Sequence, residues 1–234
     1  TNVPIVIAWQ AFFMFVTIYI IYKGIGEGIE KYCRILMPSL FVVLLILIVR
    51  AVTLPGAGAG IAYYLKPDFS KLTGGAFGAA LGQAFFSLSL GMGCMITYGS
   101  YVGKKETLPG AAFQVCFLDT AVAFLAGLVI FPAVFAFGIE PGAGAGLTFI
   151  TLPNVFGKMP GGMIWSALFF VLLFVAALTS AISLLEVVAA YFIDEMKWSR
   201  TKAAWVMGFC IFLLGIPSVL GVAGKLPTLA GRDF

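Results

Sequence analysis

The chain has 234 residues, 62% of them hydrophobic and 10% charged, with four cysteines, no histidine and a formal net charge of +4. A soluble domain carries roughly a quarter charged residues, so a mean hydropathy of +1.08 excludes that class and points to an all-α integral membrane protein. Lack of histidine removes His-based triads, His metal sites and His proton relays, and Cys33, Cys94, Cys116 and Cys210 have no metal or disulfide spacing, so no enzyme is expected.

About 20 apolar residues cross a hydrocarbon core of about 30 Å, and six runs qualify as transmembrane helices. The first, about 3–22, lacks a basic leader and is too long for the apolar core of a signal peptide. The second, about 35–54, follows Gly28 and contains Pro38. Proline removes a backbone bond and glycine lowers helical preference; this inner end is either a gate that unwinds or a plain helix start with a proline kink. The outer loop opening at Pro55-Gly56-Ala57-Gly58-Ala59-Gly60 leads to the third run, about 76–103, and the fourth, about 109–138, carries Asp119. Connection 139–163 contains a stretch, Leu147 to Phe156, too apolar for a solvated loop and too short to span. It reads as an outer lid-like piece or as a membrane-surface helix. The fifth run, about 164–193, carries Ala176, Thr179, Ser180 and Glu186, and the sixth is about 201–223. Glu186 either joins an inner polar path or takes a hydrogen bond from a helix outside this chain. Residues 1–234 read as one transmembrane domain. Opening at Thr1 and ending soon after the sixth run, the chain is expected to be part of a longer polypeptide whose other helices are missing here.

The odd-numbered connections hold Lys23, Lys31, Arg34, Lys104, Lys105, Lys197, Arg200 and Lys202, and the even ones hold Lys66, Lys71 and Lys158. By the positive-inside rule the odd connections are cytoplasmic and the first residue lies outside a multi-pass cytoplasmic (inner) membrane. Without a block of like charge, these cations set topology and imply no nucleic-acid partner.

The third run is interrupted. Gly82-Gln83-Ala84-Phe85-Phe86-Ser87-Leu88-Ser89-Leu90-Gly91-Met92-Gly93 places glycines and hydroxyls at its midpoint. Exposed peptide groups in hydrocarbon cost several kcal/mol each, so such a break survives where backbone lines a protein-enclosed cavity or holds an ion. At about 1.5 Å per residue, Ser87 to Gly91, Asp119, and Thr179 with Ser180 all fall near the midplane. Oxygen donors from three helices at one depth suit a hard cation in a secondary transporter. Asp119 needs a counter-charge, and no Lys or Arg lies at its depth; a sodium ion or a proton fills the role, unless the acid is protonated or hydrogen-bonded to a neighbouring helix. Ala176, Thr179 and Ser180 share a helix face, although Ser and Thr in such helices also bond back to their own i−4 carbonyls.

Two stretches, Gln83 to Gly93 followed by Ile96-Thr97-Tyr98-Gly99-Ser100-Tyr101, and Ala177-Leu178-Thr179-Ser180-Ala181-Ile182-Ser183, resemble the sixth and eighth helices of the neurotransmitter:sodium symporter family. The resemblance covers nearly the whole chain, as family helices four to nine, and implies part of an inverted-repeat transporter of the LeuT type. It implies two sodium sites and no organic cofactor: Ser87 and Asp119 at the first, and Ala176, Thr179 and Ser180 at the second. Phe86, Ser87, Ser89, Leu90, Gly91, Met92, Gly93 and Thr179 line the implied amino-acid pocket. Gln83 and Phe86 stand at the implied outer gate, and Gly28 with Pro38 at an inner one. Many family members have Asn where Asp119 sits and balance charge with chloride, so a carboxylate implies chloride-independent sodium symport. Met92 stands where relatives often have Phe; a flexible thioether repacks around differently shaped side chains, which implies hydrophobic L-amino acids as substrates. The competing readings are an inert truncated chain, since nothing here matches the family's first helix, and a channel, which requires a continuous polar lining that these helices lack.

Overall fold

The computed structural model describes residues 2–103, 106–138, 148–149, 152–157 and 159–223. In chain order its helices are α1 (Val3–Tyr22), a π-helical segment (Ile25–Glu30) continuing into α2 (Lys31–Val52), α3 (Ala57–Leu65), α4 (Gly74–Ser87), a 3-10 turn (Leu90–Met92), α5 (Cys94–Tyr101), α6 (Leu108–Ala136), α7 (Leu152–Gly157), α8 (Gly162–Asp194) and α9 (Arg200–Val222). Among the described residues there is no strand, and five helices are long and apolar enough to cross a membrane: Val3–Tyr22, Ile25–Val52, Leu108–Ala136, Gly162–Asp194 and Arg200–Gly221. The interrupted third run is carried by α4 and α5, of 14 and 8 residues, each too short to cross alone.

Helix ends follow local chemistry. Pro lies in the first turn of α1 and of α6, where its missing N–H has no intrahelical partner to lose. Thr73 caps α4 by accepting from the Ala76 N–H at 3.2 Å, and Ser199 caps α9 by accepting from the Lys202 N–H at 3.3 Å. The second span's helical path begins at Ile25, well before its continuous apolar run, because Gly24 at φ +90° ends α1 and its carbonyl accepts from both Gly28 and Ile29.

The chain divides into two compact units. One comprises Thr1–Leu36, Ile96–Ser100 and Ala177–Phe234. Its core is built from Ile18 and Ile21 of α1, Ile29 of the π segment, Ile182 and Leu185 of α8, and Ala203 and Ala204 of α9. Lipid tails are as apolar as leucine, so membrane helices associate through small residues and polar contacts. Here a Cβ at Gly208 would overlap the Ile18 side chain and one at Gly215 would overlap the Gln10 amide, while Gln10 Nε2 donates to the Phe212 carbonyl at 3.2 Å.

The other unit comprises Met37–Met95 and Tyr101–Ala176. Leu44, Leu47 and Ala51 of α2, Val129, Ala133 and Val134 of α6, and Phe169 of α8 form its core with α7. Helix α3 crosses α6 backbone to backbone: a Cβ at Gly60 would overlap the Phe131 carbonyl, and one at Gly127 would overlap the Tyr64 ring. Tyr64 donates to the Phe124 carbonyl at 3.2 Å and stacks on Phe131 at 4.9 Å between centroids. Of the lid-like connection at 139–163, residues 139–147, 150–151 and 158 lie outside the described residues. Its described helix, α7, is a packed piece of this core: Leu152, Val155 and Phe156 are buried, and Phe156 lies 5.4 Å from Phe169.

Overpacking against fixed backbone costs about 1–3 kcal/mol. Gly60→Ala, whose methyl meets a carbonyl rather than a movable side chain, is therefore expected to lower the thermal midpoint in detergent measurably. Gly58→Ala on the same helix meets nothing within 4 Å and is expected to leave it unchanged.

Candidate functional site

The break between α4 and α5 is made by two left-handed residues. Leu88 and Ser89 end α4 by donating to the Ala84 and Phe86 carbonyls at 3.0 Å each; Ser89 sits at φ +54°, and Gly93 at φ +77° admits the chain to α5 after the 3-10 turn. Glycine takes that conformation freely, whereas a residue with a Cβ meets a penalty of about 1–2 kcal/mol. A strained Ser89 held beside a helix break belongs to the outliers that cluster at ligand sites.

Ser87, the last residue of α4, faces α6. Its hydroxyl donates to the half-buried Asp119 carboxylate, 2.8 Å from each oxygen. The next hydroxyl along α6 behaves differently, since Thr120 donates to the Cys116 carbonyl of its own helix at 2.8 Å, the common outcome in apolar helices. With its proton directed at the carboxylate, Ser87 Oγ keeps its lone pairs for a cation, and Asp119 adds a formal negative charge. Hydroxyl, carboxylate and the carbonyls at a helix end are all oxygen donors, the kind that hard cations take. Among the described residues no group of three or more His, Cys, Asp or Glu comes together.

Phe86 and Gln83 lie exposed on α4, and Leu90, Gly91 and Met92 form the 3-10 turn between Ser89 and Gly93. Ala176, Thr179 and Ser180 lie on α8 at spacings that share one face. One turn further along, Ser183 Oγ donates to the Thr179 carbonyl at 3.1 Å and accepts from Tyr98 Oη of α5 at 2.9 Å. Gly28 is buried inside the π segment, where a Cβ would overlap the Ile20 carbonyl, while Pro38 stands within α2.

The sequence left Glu186 between an inner polar path and a helix outside the chain. Its partner is Arg200 of this chain: the guanidinium bonds both carboxylate oxygens at 2.8 and 3.0 Å, and Nη1 also donates to the Ile21 carbonyl at 3.4 Å. Glu186 is 0% exposed. Arg200, counted from sequence only as a topology charge, thus joins α8, α9 and the C-terminal end of α1. The tight α8–α9 connection and the reach of an arginine stem were the available signals. Tyr98 gave none beyond its phenol inside an apolar helix.

A span broken at mid-length, with half-helix ends beside a carboxylate–hydroxyl pair, is how helical membrane transporters build a substrate and ion site. The description "Sodium:neurotransmitter symporter family" belongs to the family model that matches residues 4–226, and the chain is a member of that family. It is 46% identical over 217 residues to a sodium-dependent transporter of Haemophilus influenzae, covering 92% of this chain and 48% of that one. It is 41% identical over 230 residues to the sodium-dependent transporter YhdH of Bacillus subtilis, covering 97% and 51%. Among solved structures, MhsT in complex with L-phenylalanine superposes with a TM-score of 0.87 at 50% identity, covering 100% of this chain and 54% of that one. The chain therefore spans about half the length of the curated relatives it matches.

Removing one member of a buried ion pair leaves an uncompensated charge and costs about 3–5 kcal/mol, whereas replacing both by apolar residues is often neutral. Arg200→Met is expected to destabilise the protein strongly in thermal unfolding, and adding Glu186→Leu to recover most of the loss.

Proposed function

We propose that the protein is a sodium-coupled symporter of hydrophobic L-amino acids in the cytoplasmic membrane, working by alternating access and independent of chloride. The observation that carries this reading is the Ser87–Asp119 pair at the end of a broken span, 2.8 Å to each carboxylate oxygen. In this reading sodium is cargo. One ion takes Ser87 Oγ, the Asp119 carboxylate and the carbonyl end of α4, where the helix dipole is negative; a second takes the Ala176 carbonyl and the Thr179 and Ser180 hydroxyls of α8. The positive amino end of α5 suits the substrate's carboxylate, as at half-helix termini in transporters. Phe86 and Met92 supply apolar surface for the side chain, and Ser89, Leu90, Gly91 and Gly93 supply backbone. The solved structure of MhsT with bound L-phenylalanine supports an amino acid of that class.

Asp119 carries the charge argument. A carboxylate beside sodium offsets the cation without an anion from solution, which is why chloride has no part in the cycle. Gln83 and Phe86 serve as the outer gate. The buried Gly28 in a π segment, followed by Pro38, supports an inner gate at the start of the second span, since π turns inside helices recur at functional sites. The excess of lysine and arginine in the odd connections orients the first residue outward.

The test is uptake of radiolabelled L-phenylalanine and L-leucine into proteoliposomes by the protein at the full length its gene encodes. Saturable uptake that requires an inward sodium gradient and survives replacement of chloride by gluconate is expected. Uptake that needs chloride, or that ignores sodium, overturns the reading. A unit charge at contact distance from sodium is worth more than about 1 kcal/mol even in high dielectric. Asp119→Asn is accordingly expected to lower sodium-driven uptake in chloride-free buffer by about tenfold or more.

A further inference from the structure

We infer that Tyr98 and Ser183 position the sodium-binding turn of α8, so that sodium affinity there depends on where the inner half of the broken span sits. This rests on the sodium reading of Ala176, Thr179 and Ser180 given above. Tyr98 lies on α5 and Ser183 on α8, and both belong to the same compact unit.

A hydroxyl has one proton to give. Ser183 Oγ accepts the Tyr98 proton at 2.9 Å, and its own proton goes to the Thr179 carbonyl at 3.1 Å. The three groups form a directed chain from α5 into the backbone of α8. Bonds in such a chain polarise one another, so the Tyr98 contact strengthens the one Ser183 makes to Thr179. That carbonyl also takes the ordinary helical bond from one turn on, and a second donor of this kind bends a helix locally. The turn that receives this second donor begins at Thr179, beside Ser180. Ion ligands work within about 0.5 Å of their productive positions, so a shift in the turn is felt as a change in affinity.

The tether also has a mechanical setting. Helix α5 has eight residues, begins after a left-handed Gly93, and is too short to be stable alone. Its tyrosine ring packs against the Ile182–Leu185 core, so ring and hydroxyl make separable contributions. Linkage is reciprocal: if the placement of α5 sets sodium affinity, bound sodium holds α5 in place.

The experiment is binding of radioactive sodium to the full-length protein in detergent, over a concentration series, together with thermal unfolding in sodium-free buffer. Tyr98→Phe and Ser183→Ala are each expected to raise half-saturating sodium at one site by about three- to tenfold, the range of one net hydrogen bond. The double variant should be no weaker than the weaker single one, and Ser183→Thr, which keeps the hydroxyl, should stay near the parent. Thr179→Ala is the control for the site. If it abolishes one sodium component while Tyr98→Phe and Ser183→Ala leave half-saturation unchanged, the positioning role is overturned and the sodium reading stands; a fall in unfolding temperature alone counts the same way. If Thr179→Ala leaves sodium binding intact, the sodium reading of α8 falls, and this inference with it.

Discussion

A peptide group inside hydrocarbon has no water to bond, and this constraint governs the whole architecture. Every long helix here satisfies it by closing its backbone bonds on itself. The segment from Leu88 to Gly93 does not, since two left-handed residues flank a single 3-10 turn. What surrounds it follows from that exception. α4 ends on a serine rather than on another alanine or phenylalanine, its hydroxyl meets an acid on α6, and polar groups otherwise unwelcome at this depth gather where backbone groups already need partners.

The other buried polar arrangements follow a different logic and keep their partners local. Thr17 returns its proton to Phe13 of the same helix, Gln10 reaches the Phe212 carbonyl across a glycine-lined crossing, and Glu186 is clasped by Arg200. The last two join helices, as polar contacts do where burial of apolar surface supplies no drive. Ser87 and Asp119 differ in exposure: the serine is exposed and the acid half-buried, whereas Thr17 and Glu186 are fully buried. The buried contacts build the frame, and the Ser87–Asp119 pair stands at the accessible break.

The helical membrane class was legible because length and hydropathy dictate it: a charge-poor 20-residue run has few alternatives. The broken span was legible for the opposite reason, as Gly82 to Gly93 departs from that pattern in one place. Depth placed Ser87 and Asp119 at one level, with several other polar residues, and their pairing came only from the resemblance of the broken span to the symporter family. The Glu186–Arg200 clasp escaped because it needs the path of the chain through a tight reversal, and charge counting had assigned Arg200 to topology. The π segment escaped too, since hydropathy does not distinguish i+4 from i+5 bonding. Tyr98 was invisible because an aromatic residue in an apolar helix looks the same with its hydroxyl engaged or idle.

The π segment has one geometric consequence. From Ile25 to Glu30 the backbone carries one more residue in a turn than an α-helix would, and Gly28 is what allows that surplus to lie flush against the Ile20 carbonyl. Expelling it would restore α geometry without melting a single full turn, rotating the adjoining chain by about 100° and advancing it by about 1.5 Å. The start of the second span therefore has the geometry of a one-residue register slip, with Gly26 and Gly28 at the point where the slip would occur.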